Sequence, residues 1–385
     1  MDSKLPQTGT TIFTVMSQLA AKCDAINLAQ GFPELDPDSR LIDKVTQYMK
    51  HGANQYAPMS GVPELRTAVA SKVQQLYDRT VDPESEVTVC SGATEGLFST
   101  IQACIRPGDE VIVFDPAYDS YEPSVTLAGA VTRHIPLIST DERPDLHIDL
   151  TALSNAIRAN TRLIILNFPH NPSGAILNAK DLDGLAGVLQ DTDVLLLSDE
   201  VYEHIVFDGA VHQSMLRHDE LWQRSFVVSS FGKTYHATGW KIGYCVAPEA
   251  LSREFRKTHQ WNTFATCTPM QLAIADYMQE RPEHYAELAS FYERKRDLFL
   301  SLLDGSRFTS RPAAGTFFQT LDYSAISDEE DMEFAERLTR DIGVASIPVS
   351  AFCADKFGER HRTLRFCFAK NDETLERAAE NLCRL

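Results

Sequence analysis

The chain has 385 residues, 43% of them apolar and 23% charged, which is enough for one large domain with a sizeable core and a second, smaller one. A formal net charge of −18 argues against nucleic acid and anionic membrane as partners, because phosphate surfaces demand a basic footprint. The opening residues lack a basic, apolar leader pattern, and no apolar run approaches the roughly 18 residues of a membrane span, so a cytoplasmic protein is expected.

The eight cysteines are dispersed without a C-x-x-C pair and are expected to be buried reduced thiols, with no disulfide and no metal site. In chain order, residues 11–22 place Ile12, Val15, Met16 and Leu19 at helical spacing. Residues 26–33 read as a short strand that ends in the Gly31-Phe32-Pro33 turn. Residues 60–76 return to helical spacing, with Leu65, Val69, Val73 and Leu76 on one face.

A recurring pattern then begins. Residues 87–91, 110–114, 162–166, 193–198 and 225–229 are short apolar runs, most of them separated by segments of helical length such as 178–190. Continuous apolar strands alternating with helices predict an α/β fold built on a mainly parallel sheet covered on both faces. Ligands of such sheets bind beyond the carboxyl ends of the strands, so the residues after each run are the ones to inspect.

The first run is followed by Ser91-Gly92-Ala93-Thr94, a small-residue turn opening a helix, whose backbone N–H groups make an anion site. The second is followed by Tyr118, which either stacks on a planar ring or packs as an ordinary aromatic. The third leads into Asn167-Phe168-Pro169-His170-Asn171-Pro172-Ser173-Gly174, whose prolines fix the Asn171 amide. The fourth ends in Asp199-Glu200-Val201-Tyr202. A carboxylate at the buried end of an apolar strand needs a partner, either an ordinary cap or ion pair, or a protonated pyridine nitrogen.

The fifth run gives way to Ser230-Phe231-Gly232-Lys233, with Lys241 between Gly239 and Gly243. Lysine condenses with aldehydes, and serine hydroxyls beside a second lysine suit a phosphate monoester. A phosphate beside such a lysine points to pyridoxal phosphate, the alternative being a surface lysine in a Gly-rich turn. Farther on, residues 288–303 read as a helix with Lys295 and Arg296 on a solvated face. The last hundred residues read as a smaller α+β unit of strands at 316–321, 343–348 and 363–369 and a helix at 331–341. Arg365, in Leu364-Arg365-Phe366-Cys367-Phe368, either clamps a carboxylate or lies on an exposed edge strand.

Taken together, Asn171-Pro172-Ser173-Gly174, Asp199-Glu200-Val201-Tyr202 and Ser230-Phe231-Gly232-Lys233 resemble the class I aminotransferases of the fold-type-I pyridoxal-phosphate superfamily. The stretch from Gly232 to Tyr244 and the segment Asn54-Gln-Tyr-Ala-Pro-Met-Ser-Gly61 are similar to the kynurenine/glutamine aminotransferase branch. The start (Leu5-Pro-Gln-Thr-Gly-Thr-Thr-Ile-Phe13) and Phe352-Cys-Ala-Asp355 resemble the bacterial methionine aminotransferases within it.

The resemblance spans essentially the whole chain and implies a residue set. Lys233 is the lysine that condenses with pyridoxal 5'-phosphate and later shuttles the proton, and Asp199 pairs with the ring nitrogen. Asn171 and Tyr202 bond the ring oxygen, and Tyr118 stacks on the ring. Gly92, Ala93, Thr94, Ser230 and Lys241 hold the phosphate, Lys241 standing where many class I enzymes have arginine. Tyr56 reaches in from the other subunit of a homodimer with shared active sites. Arg365, with Asn171 and the backbone at Gly31, takes the substrate carboxylate, and Phe13, Phe32 and Phe264 form an aromatic side-chain pocket.

The domains expected are 41–280 for the cofactor and 1–40 plus 281–385 for the small unit. The activity implied is transfer of an amino group from methionine, or from an aromatic or other bulky apolar amino acid, to a 2-oxo acid. Kynurenine/glutamine-type transamination and cysteine-conjugate C–S β-elimination are the alternatives on the same fold.

Overall fold

The computed structural model describes residues 2–6, 8–354 and 362–385, so Gln7 and Asp355 of the motifs above lie outside the described residues. A seven-stranded sheet organises the chain. Its strands are β2 (Val87–Cys90), β3 (Glu110–Asp115), β4 (Val131–Pro136), β5 (Thr161–Asn167), β6 (Leu195–Asp199), β7 (Ser225–Ser230) and β8 (Gly243–Val246), after a short β1 (Ile26–Asn27) elsewhere. Their spatial order is β2-β8-β7-β6-β5-β3-β4. Every pairing is parallel except those of β8, which runs antiparallel between β2 and β7.

The apolar runs are buried on both faces because successive side chains alternate across the sheet. Ile112, Ile164, Leu166 and Leu196 face one core, with helices α2 (Ser39–Lys50) and α3 (Pro63–Tyr77) and the helix Thr268–Glu280 over it. Val111, Val113, Leu163, Ile165 and Leu197 face the other, under α4 (Gly92–Cys104) and the helix Glu249–Asn262.

A separate core gathers helix α1 (Ile12–Cys23), Tyr202, Phe207 and most of the chain beyond His284. Within it β9 (Phe318–Asp322), β11 (Ile347–Pro348) and β12 (Thr363–Cys367) form an antiparallel sheet in the order β11-β12-β9, while β10 (Val344–Ala345) pairs with β1.

Several expectations need correction. Five strands were legible, and the sheet has two more. β4 is an edge strand whose polar Thr132, Arg133 and His134 break the apolar run, and β8 hides inside a glycine-rich stretch that reads as a loop. Of residues 26–33, only Ile26–Asn27 is strand. Lys233 is not a surface lysine in a Gly-rich turn but sits in the one-turn helix Phe231–Thr234.

Lys295 and Arg296 are buried rather than solvated. Arg296 pairs with Asp208 at 2.6 Å and packs over the Phe207 ring at 4.9 Å, and Lys295 reaches Asp372 at 2.5 Å, so paired charge and apolar stem go inside together. The cysteines are free thiols, but Cys267 and Cys383 are exposed. Arg365 lies on the central strand of its sheet and has no solvent exposure, so it is not an edge-strand surface arginine.

Candidate active site

The carboxyl ends of β2, β3, β5, β6 and β7 lie along one edge of the large sheet, and β8 starts there, Gly243 pairing with both Cys90 and Ser230. A Cβ on Gly243 would stand 2.6 Å from the Ser229 carbonyl oxygen and 2.9 Å from the Ala93 nitrogen, so only glycine lets β8 enter this closely. The strand ends enclose a cavity of ≈ 170 Å³. Of the residues expected from the sequence, Gly92, Ala93, Thr94, Tyr118, Asn171, Asp199, Tyr202, Ser230, Lys233 and Lys241 line it.

Lys233 is held from below. Its Nζ donates to the Gly31 carbonyl at 2.9 Å and lies over the rings of Tyr202 (5.6 Å) and Phe317 (5.3 Å). Burial pushes its ammonium down to about 8, the positive charges of Arg365 and Lys241 adding to the effect. Asp199, at the end of β6, is pushed up to about 6 by burial, and a 2.7 Å hydrogen bond from Tyr121 opposes that rise. Among the described residues, apart from Tyr121, only the Val201 N–H reaches this carboxylate, at 3.4 Å.

Asn171 is fixed from two sides. Its backbone N–H donates to Asn167 Oδ1 at 3.1 Å, and its Oδ1 accepts from Arg365 at 2.7 Å. The other Arg365 terminal nitrogen donates to the Ala29 carbonyl at 2.6 Å, and among the described residues its Nε has no partner and no carboxylate lies within ion-pair distance. The rings of Phe318 (3.9 Å), Phe13 (5.1 Å) and Phe352 (5.4 Å) surround the guanidinium, and burial lowers it to about 10. At the far end, Lys241 has left-handed backbone (φ 55°), and its Nζ comes within 3.1 Å of where a Gly92 Cβ would be, over the start of α4.

These groups fit pyridoxal 5'-phosphate. Lys241 over a helix N-terminus suits a phosphate, an under-partnered buried carboxylate suits a pyridinium nitrogen, and a lysine whose ammonium burial lowers suits an aldehyde. Arg365 is left over for a second anion.

Other expected residues lie elsewhere. Phe13 packs against Arg365, outside the 170 Å³ cavity, and Phe32, 40% exposed, covers the Lys370 ammonium at 4.8 Å. Tyr56 (82% exposed) and Phe264 (55%) pair edge-on with each other at 5.1 Å. Within one chain, therefore, the expected aromatic box does not assemble.

Sequence reasoning gave no role to Tyr121, to Asn167, which also donates to the Asp199 carbonyl at 3.1 Å, or to His170. His170 bridges Ser173 Oγ (2.6 Å) and the Pro116 carbonyl (2.8 Å), tying the loop after β5 to that after β3, and burial lowers it to about 4, keeping it neutral. The only signal for these was their place at strand ends.

Residues 24–382 match the family model described as aminotransferase class I and II. The methionine aminotransferase of Escherichia coli is 48% identical over 383 residues, covering 100% of this chain and 98% of that protein. A solved E. coli structure assigned a methionine aminotransferase function superposes with a TM-score of 0.96 at 48% identity over 100% of this chain and 99% of the other. N-succinyldiaminopimelate aminotransferase from Mycobacterium tuberculosis superposes with a TM-score of 0.95 at 35% identity, over 100% of this chain and 99% of that one. Kynurenine–oxoglutarate transaminase 3 of Mus musculus is 36% identical, over 96% of this chain and 87% of that protein.

Proposed function

We propose that this chain, which belongs to the family of class I and class II aminotransferases, moves the amino group of methionine, and of aromatic or other bulky apolar amino acids, to a 2-oxo acid. Its cofactor is pyridoxal 5'-phosphate, which supplies an aldehyde for the amino group and a ring that takes up electrons from Cα.

In this reading Lys233 Nζ, lowered to about 8, would be the base that takes the Cα proton of the donor and the acid that gives it back. Asp199 keeps a proton on the ring nitrogen, and Tyr121 holds the carboxylate in place. Asn171 and Tyr202, which line the cavity, would hold the ring oxygen, and Tyr118 would cover the ring. The N–H groups of Gly92 to Thr94, with Ser230 and Lys241, would hold the phosphate, joined by Tyr56 of a second copy. The exposed Tyr56–Phe264 pair supports a homodimer with shared sites. Residues 41–280 then form the cofactor domain, 1–40 with 281–385 the small one, and the cytoplasm is the compartment.

The observation that carries the substrate assignment is Arg365, a fully buried guanidinium without an acid partner among the described residues, ringed by aromatic faces. It offers one carboxylate a bidentate partner, and the rings of Phe13 and Phe32, joined by Phe264 of a second copy, would suit a thioether or aromatic side chain. Identity to a kynurenine–oxoglutarate transaminase favours kynurenine as a second donor.

A panel of amino donors against one 2-oxo acid, ranked by kcat/KM, tests the assignment. Methionine and the aromatic amino acids should lead. Kynurenine or glutamine exceeding methionine by more than about tenfold, or pyruvate and ammonia released from S-substituted cysteine faster than methionine is transaminated, would overturn it.

A further inference from the structure

Next to the site, across Tyr118, stands a carboxylate for which the proposed reaction has no use. Asp119 follows Tyr118 on the loop after β3 and is half-buried. Thr11 Oγ1 donates to its Oδ2 at 2.5 Å. The same hydroxyl caps α1, accepting from the Phe13 N–H at 3.4 Å. The acid is thereby fastened to the helix that brings Phe13 against Tyr118 (6.2 Å), Phe352 (5.8 Å) and the Arg365 guanidinium.

Asp119 lines a ≈ 660 Å³ cavity together with Thr11, Phe352 and Tyr118, and Tyr118 also lines the 170 Å³ cavity beside Lys233. Burial raises the Asp119 carboxyl, while the Thr11 bond and the field of Arg365 oppose the rise. The two groups influence each other without forming an ion pair, so Arg365 stays available to a substrate carboxylate.

We infer that Asp119 sets substrate specificity: its carboxylate, held by Thr11 beside Phe13 and Tyr118, turns away amino acids and 2-oxo acids whose side chains end in a second carboxylate. The inference rests on the transamination reading above and deepens it. In this reading a side chain whose α-carboxylate is held by Arg365 extends past Phe13 and Tyr118 toward the ≈ 660 Å³ cavity, where Asp119 stands and no arginine is among the described lining residues. A like charge at the side-chain end is a repulsive element that discriminates where an apolar wall would not. Thioether and aromatic side chains meet no such obstacle.

The test compares Asp119→Asn with the parent holoenzyme, asparagine keeping an oxygen for Thr11. The ratio of kcat/KM for glutamate to that for methionine should rise at least about tenfold. Calorimetric binding of glutarate relative to pentanoate, two unreactive acids differing by one carboxylate, should shift in the same sense by a similar factor. Thr11→Ala, which keeps the charge and removes the tie, should leave the glutamate-to-methionine ratio low. An unchanged ratio in Asp119→Asn, parallel changes with both substrates, or an equal gain in Thr11→Ala overturns the inference. If the parent protein transaminates neither amino acid, the functional reading fails instead, and the glutarate-to-pentanoate comparison still decides the role of Asp119.

Discussion

Behind the strand-end turn that carries Asp199 and Tyr202, the next acid faces away from the cavity. Glu203 is buried and accepts from Lys72 Nζ at 2.8 and 2.7 Å, Ser229 Oγ at 2.5 Å, Tyr244 Oη at 2.5 Å and the Tyr77 hydroxyl. One carboxylate thus joins α3, β7, β8 and the turn after β6. At 2.7 Å and an effective dielectric of about 20, the gross attraction of the Lys72–Glu203 pair is about 6 kcal/mol. Much of that offsets desolvation, and breaking such a pair from one side costs about 3–5 kcal/mol. Lys72→Met should therefore lose about 3–5 kcal/mol in urea unfolding of cofactor-free protein at fixed concentration. The double variant with Glu203→Leu should cost at least about 2 kcal/mol less than the sum of the singles.

The pH dependence should also change sign. Burial acts to raise the Glu203 carboxyl, but Lys72 and the surrounding donors outweigh it and hold it well below the usual carboxylate range. In the parent, its stabilisation is present above the unfolded value of about 4.3 and lost as pH falls through the lower folded value. Without Lys72, burial prevails and the folded value lies above the unfolded one. Stability of Lys72→Met should then rise as pH falls from about 7 towards 5. Singles costing under about 1 kcal/mol that add without coupling, and no reversal with pH, would refute this account of the cluster.

Three further outcomes are expected. Lys233 is lowered by burial to about 8, below its unfolded value of about 10.4, so its penalty on the cofactor-free fold is full below pH 8 and vanishes as pH rises through 10.4. Lys233→Met should accordingly stabilise cofactor-free protein by up to about 3 kcal/mol at pH 7 and by little above pH 10, read by denaturation at the two pH values. Gly243→Ala puts a methyl 2.6 Å from the Ser229 carbonyl oxygen, and titration of cofactor-free protein with pyridoxal phosphate should show affinity falling by about tenfold or more. Finally, Lys233→Ala and Tyr56→Ala protomers, each impaired alone, should regain activity when mixed, because the hybrid holds one site with both side chains intact. No regain on mixing would mean that Tyr56 serves its own chain.

What was legible in the sequence follows a physical rule. Asp199, Asn171 and Lys233 stood out because each ends or follows a wholly apolar run, and parallel sheets expose chemistry at that edge. β8 was hidden because Gly243-Tyr-Cys-Val is embedded among glycines that also serve the phosphate end. β4 was hidden because an edge strand tolerates Arg133 and His134. Buried charge defeats any reading from composition, since whether Lys72, Arg296 or Arg365 goes inside depends on partners distant in sequence. Glu203 lies 131 positions from Lys72, and Tyr121 lies 78 from Asp199. Tyr56 and Phe264 mark a different limit, since one chain alone does not bring them to the cavity.

The central claim, transamination through Lys233 with methionine as donor, is tested most directly by the absorbance of purified cofactor-loaded protein before and after L-methionine is added without an acceptor. The account predicts that the aldehyde form of the cofactor converts to its amine form, with one equivalent of 2-oxo acid released per site, and that Lys233→Ala abolishes the conversion. A spectrum that methionine leaves untouched, or a conversion that survives Lys233→Ala at the parent rate, would contradict it.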